Sequence, residues 1–246
     1  MNNNSIYASA IGGTLAMKRM EVLANNLANA GTPGFKADVA RETADPSYIS
    51  LPQFDSSRRR LKSVADLLSV KTAYSQGAVE PTKNDYDLAI QGPGFFELQT
   101  PKGPVYTRAG AFRLDKDGAL VGANGYPVMG EGGPIEAKGG DLVVRADGEV
   151  VVDGQPADRL KIVAFDDPAA LAKQAGTVFV APQGAARHPA ENATIVQGAL
   201  EASNVNTMKT MVDLIEINRV FESEMRAIHT ADQINQRSTT AVGKYK

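Results

Sequence analysis

The residues able to do chemistry are few and poorly placed for it. The chain has no cysteine and two histidines, His188 and His229. Disulfides, thiolate metal sites and a cysteine nucleophile are therefore excluded, and neither histidine has a second one at ligand spacing. Asp115-Lys116-Asp117-Gly118 repeats part of a calcium loop, but Arg113 holds its first ligand position and Asn124 its twelfth, where carboxylates are needed. That run reads as a turn. Asp166 and Asp167 stand at another turn with no acid or base counterpart. Arg58-Arg59-Arg60 and Lys62 could hold a phosphate, yet a short basic run on a chain of net charge -2 reads as a solvated loop. No phosphate-cradling Gly loop, nucleophile elbow or dinucleotide fingerprint occurs. Nothing here asks for a substrate, metal or cofactor, so the expectation is a protein that is not an enzyme.

The bulk properties bound the class. Lys and Arg total 26 against 28 Asp and Glu, with a pI near 5.8, so no basic field recruits nucleic acid or anionic lipid. At 246 residues and 43% hydrophobic content there is material for a real core, and 6% aromatics make it aliphatic. There is no run of eighteen apolar residues, and Lys18 and Arg19, the first charges, follow apolar residues instead of preceding them. Direct membrane insertion and a cleaved secretory signal are both unexpected.

The elements are helix, β body, helix. Ile6, Ala10, Gly13, Met17, Met20, Ala24 and Leu27 recur at alternating spacings of four and three, the seam of a helical contact between chains or elements. A helix over about 5–30 follows, with Gly13 demanding a close helix approach to offset its conformational cost. It ends in Asn25-Asn26-Leu27-Ala28-Asn29-Ala30-Gly31-Thr32-Pro33-Gly34-Phe35-Lys36. Pro33 forbids helix at Thr32, while Gly31 and Gly34 can take positive φ, so the chain must turn. A valine at Gly34 is expected to harm assembly more than the β body. Residues 1–36 thus form an N-terminal axial helix and turn, and 37–84, with Pro46 and Pro52, an extended connector.

Residues 85–198 are β in texture: short apolar runs alternate with Asp117-Gly118, Asn124-Gly125, Asp147-Gly148 and Asp153-Gly154 turns. Many short antiparallel strands are expected, interrupted by one helix opened by Asp167-Pro168. A fragment of residues 75–198 should fold alone. From Ala199 to Val242 there is neither Gly nor Pro, and residues 199–246 read as a C-terminal axial helix, its main run over about 206–238. Met211, Leu214, Phe221, Met225 and Ile228 keep the three-four spacing, and Asn218 interrupts it with a polar group suited to fixing register. The fold class is α+β: long terminal helices forming a coiled-coil or bundle domain, and a central all-β domain.

The stretch from Asn25 to Lys36 closely resembles the N-terminal signature of bacterial flagellar axial proteins, the rod, hook and hook-associated subunits. Gly92, Gly94, Phe95 and Phe96 after Asp87-Leu88-Ala89-Ile90-Gln91, and Thr107 and Arg108 after Tyr106, resemble the central signatures of that family. Ser203, Asn204 and Val205 after Leu200-Glu201-Ala202, with Arg219, resemble its C-terminal one. Glu216-Ile217-Asn218 departs from an Ala-Gln pair usual before the arginine, which bears on subtype and not on class. The run from Gly125 to Ile135 and the short connector favour a basal-body rod subunit over the distal one.

The resemblance implies a structural subunit of the rod that self-assembles through its terminal helices and transmits torque from motor to hook. Its implied partners are proximal and distal rod subunits, copies of itself and, in transit, the flagellar export apparatus, with a periplasmic destination. The alternatives are a distal rod or hook subunit of the same family or, from another class, a secreted β-domain hydrolase or binding protein on an oligomerising stalk.

Overall fold

The computed structural model describes residues 3–42, 68–138 and 140–242. A helix, α1 (Asn3–Ala28), is followed by β1 (Asp38–Glu42), β2 (Leu68–Thr72), β3 (Val79–Pro81), β4 (Leu88–Gln91), β5 (Phe95–Thr100) and β6 (Gly103–Thr107). Next come β7 (Arg113–Leu114), β8 (Leu120–Val121), β9 (Leu142–Val144), β10 (Glu149–Val152), β11 (Gln155–Arg159) and β12 (Ile162–Phe165). The chain closes with β13 (Ala172–Ala175), β14 (Val178–Val180), β15 (Arg187–Pro189), β16 (Thr194–Gln197), β17 (Ala199–Glu201) and α2 (Thr207–Val242). The class is α+β, two helices around antiparallel β structure. Most of the expected connector, with Arg58 to Arg60 and Lys62, lies outside the described residues.

Two compact units share this chain. One comprises α1, β1, most of β2 and α2; the other comprises residues Asn29–Ala37 and Thr72–Val205. In the β unit a six-stranded sheet runs β13-β14-β6-β5-β12-β15, and a three-stranded one runs β11-β10-β9. The Asp153-Gly154 turn closes the β10–β11 hairpin, with Val152 opposite Gln155. Leu88, Ile90, Phe96, Leu120, Val128 and Ile135 anchor an aliphatic core. A smaller aromatic cluster gathers Phe95, Tyr106, Phe165 and Phe179, with Tyr106 and Phe165 edge to face at 4.8 Å.

Two expectations about the β unit are corrected. Asp167 does cap, its side chain accepting from Ala169 N at 3.0 Å, but only a 3-10 turn, Pro168–Ala170, follows. Ala172–Ala175 then pairs antiparallel with Val178–Val180: sheet hydrogen bonds displace the helix that the alanines favour. The Gly- and Pro-free run after Gly198 likewise begins as strand, because Ala199–Glu201 pairs with Val79–Pro81. Helix starts only at Thr207, where Asn206 caps it by accepting from Lys209 N at 3.0 Å.

In the other unit α1 and α2 pack together along lines displaced from those the sequence suggests. The inward line is Gly13, Ala16, Met20, Leu23 and Leu27 on α1, and Thr210, Leu214, Ile217, Phe221, Glu224 and Ile228 on α2. Half of each expected seam is kept and the other half moves one residue earlier: Met17 gives way to Ala16, Asn218 to Ile217, Met225 to Glu224. The close approach also moves. A Cβ on Gly12 would come within 3.1 Å of the Glu224 carboxyl group, whereas at Gly13 the nearest atom, Glu224 Cβ, is 3.9 Å away.

Candidate functional site

Thr32-Pro33-Gly34-Phe35 folds as a turn in which Phe35 N donates to the Thr32 carbonyl at 3.2 Å. Pro33 and the φ of +69° at Gly34 suit the second and third positions of a type II turn. A Cβ on Gly34 would overlap the backbone of Arg108 and Ala109, so the turn is seated directly on the β unit. Gly34 N donates to the Glu201 carbonyl at 2.7 Å, and Phe35 and Lys36 are buried.

Lys36 then reaches the centre of the site. Its Nζ lies 2.5 Å from Glu201 Oε1 and donates to the Ser75 carbonyl at 2.8 Å. Arg108 Nη1 lies 3.1 Å from Glu201 Oε2, and its Nη2 donates to the Gly92 carbonyl at 2.6 Å. Gly77 N donates to Glu201 Oε1 at 3.0 Å. The guanidinium also sits 5.4 Å from the Phe95 ring centroid. Lys36 and Glu201 side chains are 1% and 0% exposed.

Two cations thus share one carboxylate out of water, and the carbonyls of Ser75, Ile90 and Gly92 meet the surplus positive charge. Burial lowers the pKa of Lys36 from its ordinary 10.5, opposed by the hydrogen bond and charge of Glu201 and reinforced by the charge of Arg108. Burial lowers that of Arg108 too, against the charge and hydrogen bond of Glu201. Such a cluster contributes little net stability, but loss of its carboxylate would strand two charges. What it does is fix geometry: the three signature stretches, some 165 residues apart at their extremes, meet at one carboxylate, although Arg108 Nε is buried there without a hydrogen-bond partner.

The surrounding motif residues serve the same join. Asn204 Oδ1 accepts from Ala37 N at 2.7 Å and its Nδ2 donates to the Ala73 carbonyl at 2.8 Å, so one side chain bridges the residue before β1 and the residue after β2. Lys173 Nζ donates to the Lys36 carbonyl at 2.7 Å and lies 3.9 Å from the Phe35 ring centroid. Asn29 Oδ1 accepts from Thr32 Oγ1 at 3.2 Å. Thr107 Oγ1 donates to the Thr177 carbonyl at 2.8 Å, and Ser203 Oγ accepts from Val205 N at 3.3 Å. Gly92 and Gly94 take φ of +106° and +130°, and Phe96 meets Phe112 at 5.0 Å. In the helical unit Asn26 imitates a strand neighbour: its Nδ2 donates to the Asp38 carbonyl at 2.7 Å and its Oδ1 accepts from Asp38 N at 2.9 Å.

Other sequence candidates lie elsewhere. Asn25, Ala28 and Arg219 are exposed, as are Ala10, Met17, Ala24, Met211, Asn218 and Met225, while Ile6, Met20, Leu27, Leu214, Phe221 and Ile228 are half-buried. The residue missed is Glu201, the hub of the buried cluster. Its signal was present in Leu200-Glu201-Ala202, a lone acid between apolar residues, but helical texture masked it.

Three family profiles match the chain: "Flagella basal body rod protein" over residues 6–36, "Flagellar hook protein FlgE/F/G D1 domain" over 89–152, and "Flagellar basal body rod FlgEFG protein C-terminal" over 196–241. The chain is 34% identical to flagellar basal-body rod protein FlgF of Caulobacter vibrioides, an alignment covering 98% of this chain and 99% of that protein. It is 32% identical to FlgF of Escherichia coli, with 94% of each covered. To FlgG of Buchnera aphidicola it is also 32% identical, with 95% and 97% covered. Because these likenesses run the length of both chains, and the signature stretches behind them are those that meet at Glu201, the chain belongs to the flagellar basal-body rod protein family and is a structural subunit of the rod.

Proposed function

We propose that this subunit joins the rod through its two terminal helices, which pack as a coiled coil or bundle against helices of its own copies and of proximal and distal rod subunits. The observation that carries this reading is where the exposed apolar side chains lie. Among the described residues, nine of the twelve large ones are on the helices: Ile11 and Met17 on α1, and Met208, Met211, Val212, Ile215, Val220, Met225 and Ile234 on α2. Apolar surface concentrated in this way marks an interface. Ala10, Met17, Ala24, Met211, Asn218 and Met225 are the half of the sequence seam that α1 and α2 do not use on each other, and Asn218 there would fix register by finding its partner in one alignment only.

A rod so built carries torque from motor to hook as a structural and not a catalytic element, in the periplasm, after passage through the flagellar export apparatus. Family membership supports these points. The run from Gly125 to Ile135 favours a FlgF-type place over the distal rod. The hydrolase alternative has no support among the relatives.

The test is a deletion strain complemented with Met17→Asp, Met225→Asp chain. Loss of the variant from isolated basal bodies, with the soluble chain still folded, is the expected result. Incorporation equal to wild type would contradict it.

A further inference from the structure

Away from the Glu201 cluster, the β unit has a cleft of about 820 Å³ between β5, β12, β15 and the turn that leads into β16. Its floor is Glu97, a β5 residue only 4% exposed. Glu97 Oε1 receives Lys161 Nζ at 2.8 Å, but the buried Oε2 has no hydrogen-bond partner. A buried carboxylate oxygen without a donor is costly unless something else supplies one.

The chain's own cations near the cleft are engaged. Arg159 holds Asp147 at 3.2 Å, Arg187 donates to the Tyr106 hydroxyl at 2.7 Å and feels the charge of Glu97 without hydrogen-bonding to it, and His188 faces Asp166 at 3.1 Å. The lining carries four carboxylates, Glu97, Glu131, Asp147 and Glu191, against three Lys and Arg side chains. Glu131 and Glu191 are exposed and outside every ion pair among the described residues. Between these acids the wall is apolar, with Leu160, Val163 and Ile195 at 4–5% exposure. An acidic floor and rim around an apolar wall suits a side chain with a long aliphatic stem and a cationic, multi-donor head.

We propose that this cleft is a docking site for an arginine side chain presented by a neighbouring polypeptide of the assembly, its guanidinium donating to Glu97 Oε2 and its stem lying on the apolar wall. A polypeptide source rests on the reading of the chain as a rod subunit; the acceptor chemistry does not. Glu97 lies in the β unit, so this contact would add to that made by the helices.

The probe is N-acetyl-arginine amide, titrated by NMR into the isotopically labelled full chain at low ionic strength, with the uncharged isostere N-acetyl-citrulline amide as control. Saturable shifts at Glu97, Glu131, Lys161 and Ile195 are expected with the arginine compound, at least tenfold tighter than with citrulline. Glu97→Gln keeps the shape and the Lys161 contact, and should abolish the difference. Equal binding of the two compounds, no binding, or undiminished preference in Glu97→Gln would each overturn the proposal. Localisation of Glu97→Gln chain in basal bodies separates this from the rod reading: retention of wild-type chain there without arginine preference sinks the docking site alone.

Discussion

The two units differ in how far each completes its own interior. In the β unit Phe35, Leu88, Ile90, Phe96, Leu120 and Phe179 are fully buried, and even a lysine, an arginine and a glutamate are enclosed with partners found. In the helical unit α1 buries Gly13, Ala16 and Asn26 and α2 buries Thr210 and Ile217, mostly small or polar residues, while Met208 stays 77% and Ile215 54% exposed. Burial of a few small side chains offsets little of the entropy of ordering two long helices. One unit closes its hydrophobic core with its own chain, and the other leaves its apolar surface to be covered by neighbours.

The heaviest blow to that contrast is Glu201→Ala. It strands Lys36 and Arg108 without an anion, which should cost about 3–5 kcal/mol, read as a fall in the urea midpoint of the β unit. A loss below about 1 kcal/mol would mean that the cluster relaxes and does not hold the signatures together. Gly34→Val comes next. The sequence alone suggests that this change spares the β unit, but the φ of +69° and the overlap with Arg108 and Ala109 place the damage inside it. A loss of about 3 kcal/mol is expected, and an unchanged β melting temperature would restore the original expectation.

A smaller effect sharpens the electrostatic side. The folded pKa of Lys36 lies below 10.5, so the unfolded chain binds that proton more tightly. Between the two values the contribution of Lys36 to stability rises with pH, and it is lost as pH falls through the folded value. Comparison of wild type with Lys36→Met by urea unfolding, from neutral pH towards 10.5, should show a rising wild-type increment that the variant lacks. A falling one would reverse the sign. Least of all, Met17→Asp with Met225→Asp should move the stability of the free chain by only about 0.5 kcal/mol, because both side chains are exposed. A loss several times larger would show them buried within the chain.

Local features were legible. Pro33 and Gly34 dictate a turn, and Asp153-Gly154 dictates a hairpin, because turn geometry is decided by two residues. Pairings across long separations were not: nothing in Ala199–Glu201 names Val79–Pro81 as its partner. The expected folding fragment of 75–198 consequently omits Lys36, Glu201 and β17, all members of the β unit. The line that α1 and α2 use on each other sits one residue earlier at alternate positions of the sequence seam, because alanines and a glycine repeat at both spacings and only packing decides between Ala16 and Met17. The buried ion cluster was half visible: Lys36 and Arg108 stood in recognisable motifs, but their shared acid is a charge identity that periodicity does not report.

Hydrogen exchange on the dilute full chain tests the contrast between the units most directly. Fast exchange confined to α1 and α2 is predicted, with strong protection across the β unit that extends into 29–37 and 199–205, the segments locked at Glu201. Protection of α1 and α2 equal to that of β5 and β6 in the free subunit would contradict it, since the helices would then need no neighbours.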